Sequence, residues 1–174
     1  EVAYIDMKIG AFVEQIRNRD VERDALIVIT ADHGEMLGEH GVMFHHLSLY
    51  EESIQVPLIV LPIRGNTQSG VVKEPVRLMD LYNTIISQAG FPFINNTHSM
   101  DIVSFLEDES FLGYGIFLMG RNHAGVERGN LFGYRTQAEN TGSLYKYIYE
   151  QEESQNWLYN LSKDPEEENN VSEA

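Results

Sequence analysis

The stretch Ala25-Leu26-Ile27-Val28-Ile29-Thr30-Ala31-Asp32-His33-Gly34-Glu35 decides the fold class. Its first six residues form an apolar, β-branched run without alternation, the pattern of a parallel strand covered on both faces. Such a strand is expected to lie centrally in a sheet. Polar residues begin where the strand should stop, and in open α/β sheets ligands bind beyond the carboxyl ends of the strands. Asp32 brings a hard anionic oxygen and a neutral His33 an imidazole nitrogen, a pair compatible with Ca²⁺, Mg²⁺, Mn²⁺ or Zn²⁺. Neighbouring side chains in extended backbone point opposite ways, so both reach one ion only if the chain turns at Gly34. Two ligands do not complete a site, and an isolated Asp-His pair is a motif that chance supplies often.

The surroundings change that weighting. Upstream, Val2, Ile5, Ile9, Phe12, Val13 and Ile16 recur at three- and four-residue steps, with Asp6, Lys8, Glu14 and Arg17 between them, which predicts an amphipathic helix. Downstream, Gly34, Gly38 and Gly41 punctuate a loop that holds four of the six histidines, His33, His40, His45 and His46. The glycines are expected to allow a tight path. Val56-Pro57-Leu58-Ile59-Val60-Leu61 then reads as a second buried strand with Pro57 near its start. Leu78 to Ala89, apolar at Leu78, Leu81, Ile85 and Ile86 and closed by Gly90 and Pro92, predicts a second helix. Strands alternating with helices imply an α/β layer architecture over residues 1–108.

Beyond residue 108 the pattern shifts to short β-prone runs, Gly115 to Met119, Leu131 to Thr136, Tyr145 to Tyr149 and Trp157 to Leu161. They predict a small antiparallel sheet subdomain over residues 109–174, ending in an acidic tail from Asp164 that forms a last helical turn or frays. In this part Arg121 and His123 could line a cleft, although a solvated turn is the commoner reading. The alternation of tyrosines with Lys146 and Ile148 fits sheet packing better than sugar stacking.

Composition bounds the partners. A length of 174 residues suffices for a real core, and a net charge of −15 argues against a nucleic-acid partner. No apolar run approaches the roughly 18 residues of a membrane span. The absence of Cys excludes disulfides and thiolate chemistry within these residues and leaves the compartment undetermined. The first residue is Glu, with helical patterning from the outset, so the natural protein is expected to begin well upstream.

Thr30 to Gly41, followed by Leu49-Tyr50-Glu51-Glu52-Ser53-Ile54-Gln55-Val56-Pro57-Leu58-Ile59-Val60, resembles the second metal-binding segment of sulfatases in the alkaline phosphatase superfamily. The opening helix with Tyr4, Asp6 and Gly10 is similar to the helix before that strand. Val76 to Ile85, running on to Ala89-Gly90, resembles the family's following helix. Tyr145 to Ile148 and Leu158 to Asn170 are similar to its closing sheet and acidic helix. The likeness keeps its order along nearly the whole chain.

The resemblance implies part of an alkaline-phosphatase-like mixed or parallel sheet flanked by helices. It also implies a sulfuric ester hydrolase whose formylglycine nucleophile arises from a Cys/Ser-x-Pro/Ala-x-Arg motif and whose divalent cation, usually Ca²⁺, neutralises the sulfate oxygens. By that pattern Asp32 and His33 are metal ligands. A histidine at position 33 is less typical of Ca²⁺ and keeps Zn²⁺ and Mn²⁺ in play. His46 or His45 falls where many members carry a sulfate-contacting Lys, and such an imidazole could donate a proton to the departing alcohol; the bland alternative is that one of the pair packs against Tyr50. Neither the nucleophile motif nor the paired Asp residues of a first metal segment occur here. Both are expected in a missing N-terminal half, so these residues alone are expected to be inactive. The rival readings are a phosphodiesterase, phosphonate monoester hydrolase or phosphoethanolamine transferase of the same superfamily, or a non-catalytic scaffold.

Overall fold

The computed structural model describes residues 1–19, 25–44, 48–63, 69–72, 75–92, 98–106, 115–120, 130–138 and 140–173. Helix α1 (Val2–Arg17) forms where the apolar periodicity placed it, with Arg17 in its last turn, where a cation favours the negative end of the helix dipole. Its apolar stripe is only partly covered: Val13 is buried and Ile9 and Ile16 are half-buried, whereas Val2, Ile5 and Phe12 are each more than half exposed.

Strand β1 (Leu26–Thr30) pairs with β4 (Leu58–Pro62) in register from Leu26 opposite Pro62 to Thr30 opposite Leu58. The pairing is antiparallel, against the parallel arrangement expected from the unalternated run. A parallel return needs a crossover of helical length, but among the described residues the elements between these strands are short: β2 (Met36–Leu37), a 3₁₀ turn at Glu39–Gly41, β3 (Met43–Phe44) and the single-turn helix α2 (Glu51–Ile54). Among the described residues no third strand joins this pair, so the central position expected for β1 is not seen; Leu26 to Ile29 are half-buried and Thr30 is exposed, rather than covered on both faces.

Helix α3 (Leu81–Gln88) follows a 3₁₀ turn at Leu78–Asp80 and ends before Gly90, whose φ of 77° suits a residue without a Cβ. A buried polar network anchors it. The fully buried Asp80 carboxylate accepts the Arg77 amide at 2.8 Å, Arg77 Nη2 at 2.9 Å and the Met100 amide at 3.0 Å. Thr84 Oγ1 donates to the Asp80 carbonyl and accepts the Ile102 amide, and the Asn83 side chain donates to the Ser99 carbonyl. Asp80 and Thr84 are thus the crosslink that ties this helix to residues 99–102, with each buried group given a partner.

The four strands β5 (Ile116–Gly120), β6 (Leu131–Gln137), β7 (Leu144–Glu150) and β8 (Gln155–Asn160) make an antiparallel meander in that order, within a residue or two of the β-prone runs. Its inner face packs Leu131, Ile148, Tyr159 and Leu161 against Leu49, with Tyr50, Ile54, Leu118, Leu144 and Trp157 around them. The main apolar core therefore lies between the meander and the segment 48–54. On β7 the buried side is Lys146, Ile148 and Glu150, while Tyr147 is 41% exposed on the other face.

The acidic tail neither forms a helix nor frays. Asp164 accepts the amides of Glu168 and Asn169, Asn170 Oδ1 accepts the Leu158 amide, and Val171 donates to the Leu158 carbonyl. Glu167, at φ 53°, turns its side chain into the protein interior. These side-chain acceptors satisfy the backbone that a helix would otherwise pair internally. No helix among the described residues is long and apolar enough to cross a membrane.

Candidate active site

The β1–β4 ladder ends at Thr30, and the chain then turns through Ala31 to Glu35. Asp32 Oδ1 accepts the His33 amide at 3.1 Å. His33 Nδ1 lies 2.8 Å from the Gly34 carbonyl oxygen. A carbonyl only accepts, so Nδ1 carries the proton and, in the neutral ring, Nε2 is the acceptor nitrogen. Nε2 in turn lies 3.7 Å from Asp32 Oδ2. Adjacent side chains that extended backbone would send apart thus approach each other at the strand end.

Two electron-rich atoms at that separation repel unless a proton or a cation stands between them. The Asp32 side chain is 89% exposed and that of His33 42%, so the pair opens outward. A backbone carbonyl fixing one ring nitrogen while the other faces a ligand is the usual arrangement around metal-bound histidine. The donor set thus fits a divalent cation, but incompletely: among the described residues no group of three or more His, Cys, Asp or Glu side chains is assembled to hold a metal.

Gly34 is required for a reason other than the conformational freedom expected of it. Its amide donates to the Ser53 carbonyl at 2.8 Å, and a Cβ at position 34 would overlap the carbonyl oxygen of Glu52. The strand end is therefore pressed against the α2 turn. Gly38 (φ 121°), His40 (φ 53°) and Gly41 (φ 69°) do take the left-handed path that the glycines foreshadowed. Glu39 accepts the Leu37 amide, and hydrogen bonds from its own and the Leu37 backbone amides hold its carboxyl below the usual range. The ring stacked on Tyr50, at 3.7 Å and 10° between planes, belongs to His40. His45 and His46 lie outside the described residues, as do Arg121 and His123.

A charged cluster lies behind this turn, assembled from residues far apart in sequence. Lys146 is fully buried, with Nζ 3.0 Å from Glu51 Oε1 and 2.6 Å from Glu167 Oε1. The first contact is a hydrogen bond; the second is a close ion pair outside hydrogen-bond alignment. Glu167 Oε2 accepts the Glu51 amide at 2.7 Å, and Arg135 Nη1 lies 3.5 Å from Glu51 Oε2. Burial pushes the Glu167 carboxyl above its ordinary range although Lys146 pulls the other way. The only trace of this in the sequence is a lone cation in an aromatic, β-prone run.

Residues 1–91 match the family model described as Sulfatase. The chain belongs to the sulfatase family. It is 26% identical to arylsulfatase K of Bos taurus over 180 residues, covering 98% of this chain and 32% of that protein. Against arylsulfatase K of Canis lupus familiaris it is 32% identical over 111 residues, which is 63% of this chain and 20% of the relative. This sulfatase-family chain thus spans about a third or less of the length of the relatives it matches. A solved structure from Bacteroides thetaiotaomicron, assigned to the sulfatases, superposes with a TM-score of 0.66 at 21% identity, over 97% of this chain and 36% of the other. The fold is accordingly the mixed α/β, alkaline-phosphatase-like one with a small antiparallel sheet.

Proposed function

We propose that the polypeptide containing this chain is a metal-dependent sulfuric ester hydrolase, with Asp32 and His33 as two of its metal ligands. The observation that carries the reading is the approach of Asp32 Oδ2 to His33 Nε2 at 3.7 Å, at a strand end inside the segment that matches the family. A bound divalent cation, with Ca²⁺ the first choice, would neutralise sulfate oxygens. Asp32 supplies a hard anionic oxygen, and His33, its ring set by the Gly34 carbonyl, supplies Nε2. His45 or His46 gives a proton to the departing alcohol. The formylglycine nucleophile and the remaining ligands come from the N-terminal part of the same polypeptide, so the 174 residues alone bind and orient but do not turn over substrate.

Turnover of an aryl sulfate by the full-length protein, measured with and without Ca²⁺, tests this. Activity that chelation removes and that Asp32→Asn abolishes is the expected result. Metal-dependent turnover by the 174-residue chain alone would overturn the division of labour, and full activity in Asp32→Asn would overturn the ligand assignment. A second reading, a phosphoryl-transfer enzyme of the same superfamily, draws on the imidazole at position 33, which suits Zn²⁺ or Mn²⁺ better than Ca²⁺. Preference for an aryl phosphate with Zn²⁺ in the same assay would favour it.

A further inference from the structure

We infer that Lys146 is a positioning residue for the strand-end pair: through Glu51 and the α2 turn it fixes Gly34, and through the Gly34 carbonyl the ring of His33. Each link is a short polar contact. Lys146 Nζ holds Glu51 Oε1 at 3.0 Å, and Glu167 closes the same group from the other side by accepting the Glu51 amide at 2.7 Å. Glu51 opens the α2 turn, whose Ser53 carbonyl accepts the Gly34 amide at 2.8 Å. Gly34 then offers its own carbonyl to His33 Nδ1 at 2.8 Å. Ser48 Oγ and Ser53 Oγ, 2.6 Å apart and buried, fasten the start of the same segment to its end.

Stability alone does not account for a cation at the centre of this arrangement. The lysine is fully buried and the side chains of its partners are 13% and 1% exposed, so three charges have been taken out of water. Well-packed apolar residues in such a place are often as stable or more so. What an apolar side chain would not supply is direction. An ammonium gripped by two carboxylates holds Glu51 at one height on the inner face of the meander, and Gly34 has no room to follow a displaced turn, because the Glu52 carbonyl occupies the space of its missing Cβ. A shift of α2 is thereby passed to the carbonyl that selects the His33 tautomer. The geometry stands independently of the reaction; its consequence for metal binding rests on the ligand role proposed for His33.

The test uses the full-length protein with ¹⁵N-labelled histidine, the His33 ring signals being assigned with His33→Asn, at one fixed pH. The unmodified protein is expected to show the Nδ1-protonated tautomer. Lys146→Met and Glu51→Gln are expected to mix the two tautomers and to weaken Ca²⁺ binding, measured by calorimetry, about tenfold, the usual size of an effect transmitted to a ligand by its supporting groups. Ile102→Ala, a core substitution beside Thr84, should lower stability without moving the His33 signals. If Lys146→Met does not fold, Glu51→Gln, which keeps the size and an acceptor for Nζ, decides. Folded variants with unchanged His33 signals and Ca²⁺ affinity would overturn the inference, as would an Nε2-protonated ring in the unmodified protein. A protein that hydrolyses no sulfate ester would sink the proposed activity and still leave the ring signals to decide this point.

Discussion

The meander and the α1–β1–β4 region are built from similarly apolar sequence and end in opposite states. The meander closes its inner face over Leu49, Ile148, Tyr159 and Leu161, all under a tenth exposed, and gives Lys146 two carboxylates. On the other side α1 leaves Val2, Ile5 and Phe12 in solvent, and Ile59 on β4 is 52% exposed. Scattered exposed apolar residues are ordinary, but on α1 three of the six stripe residues, Val2, Ile5 and Phe12, lie in solvent on one helix. Among the described residues, one face is thus packed against its own partner, whereas the apolar pattern of the other is only partly covered.

Breaking the closed side should produce the largest effect. Lys146→Met leaves two carboxylates facing each other in the interior and is expected to cost about 4 kcal/mol in urea unfolding; a loss under about 1 kcal/mol would mean that the cluster is not compensated as described. Gly34→Ala must displace the Glu52 carbonyl and is expected to cost about 3 kcal/mol. That value should exceed the cost of Gly41→Ala, since a Cβ there meets nothing within 4 Å and only the φ of 69° is strained.

The pH dependence of the cluster carries a sign. The Glu167 carboxyl is held above its ordinary 4.5 by burial, so the folded state binds this proton more tightly than the unfolded chain. Its contribution to stability is present below 4.5 and is lost as pH rises through the raised folded value. Glu167→Gln cannot titrate, so the unmodified protein should lose ground relative to it across that window in urea melts; a gain would show that Lys146 outweighs burial. The smallest effect belongs to the open side. Phe12→Ser in the 174-residue chain should change stability by no more than about 0.5 kcal/mol. In the full-length protein the same substitution should cost several times as much, and equal costs in both settings would erase the contrast between the two faces.

What was legible in the sequence follows from the range of the interactions. Local periodicity located α1, both strands of the β1–β4 pair, α3 and the four meander strands, because each pattern is complete within about a dozen residues. The direction of β1 against β4 was not legible, since an unalternated apolar run reports coverage and not the orientation of a neighbour. The turn at Gly34 that brings Asp32 and His33 close could be read from the sequence, although the reason for that glycine could not: it lies in a carbonyl 18 residues further along the chain. The tail was misread because a run of acidic residues looks solvated, while Glu167 is 2% exposed and Asp164 closes a turn. Glu51 lies 95 residues from Lys146 and 116 from Glu167 along the chain, where no short pattern reaches.

Those separations also set an order of events during synthesis. Glu51, Lys146 and Glu167 emerge in that sequence, and the two-sided grip on Glu51 does not exist until Glu167, 116 residues after Glu51, has been made. A chain grows from its N-terminus at a few to about twenty residues per second, so the turn beneath the strand end waits for several seconds with only its local hydrogen bonds. Closure then requires loops of about a hundred residues to be drawn shut, the slow class of contact in folding. A polypeptide truncated after Glu166 would therefore keep all four meander strands and lack the latch that finishes the closed side.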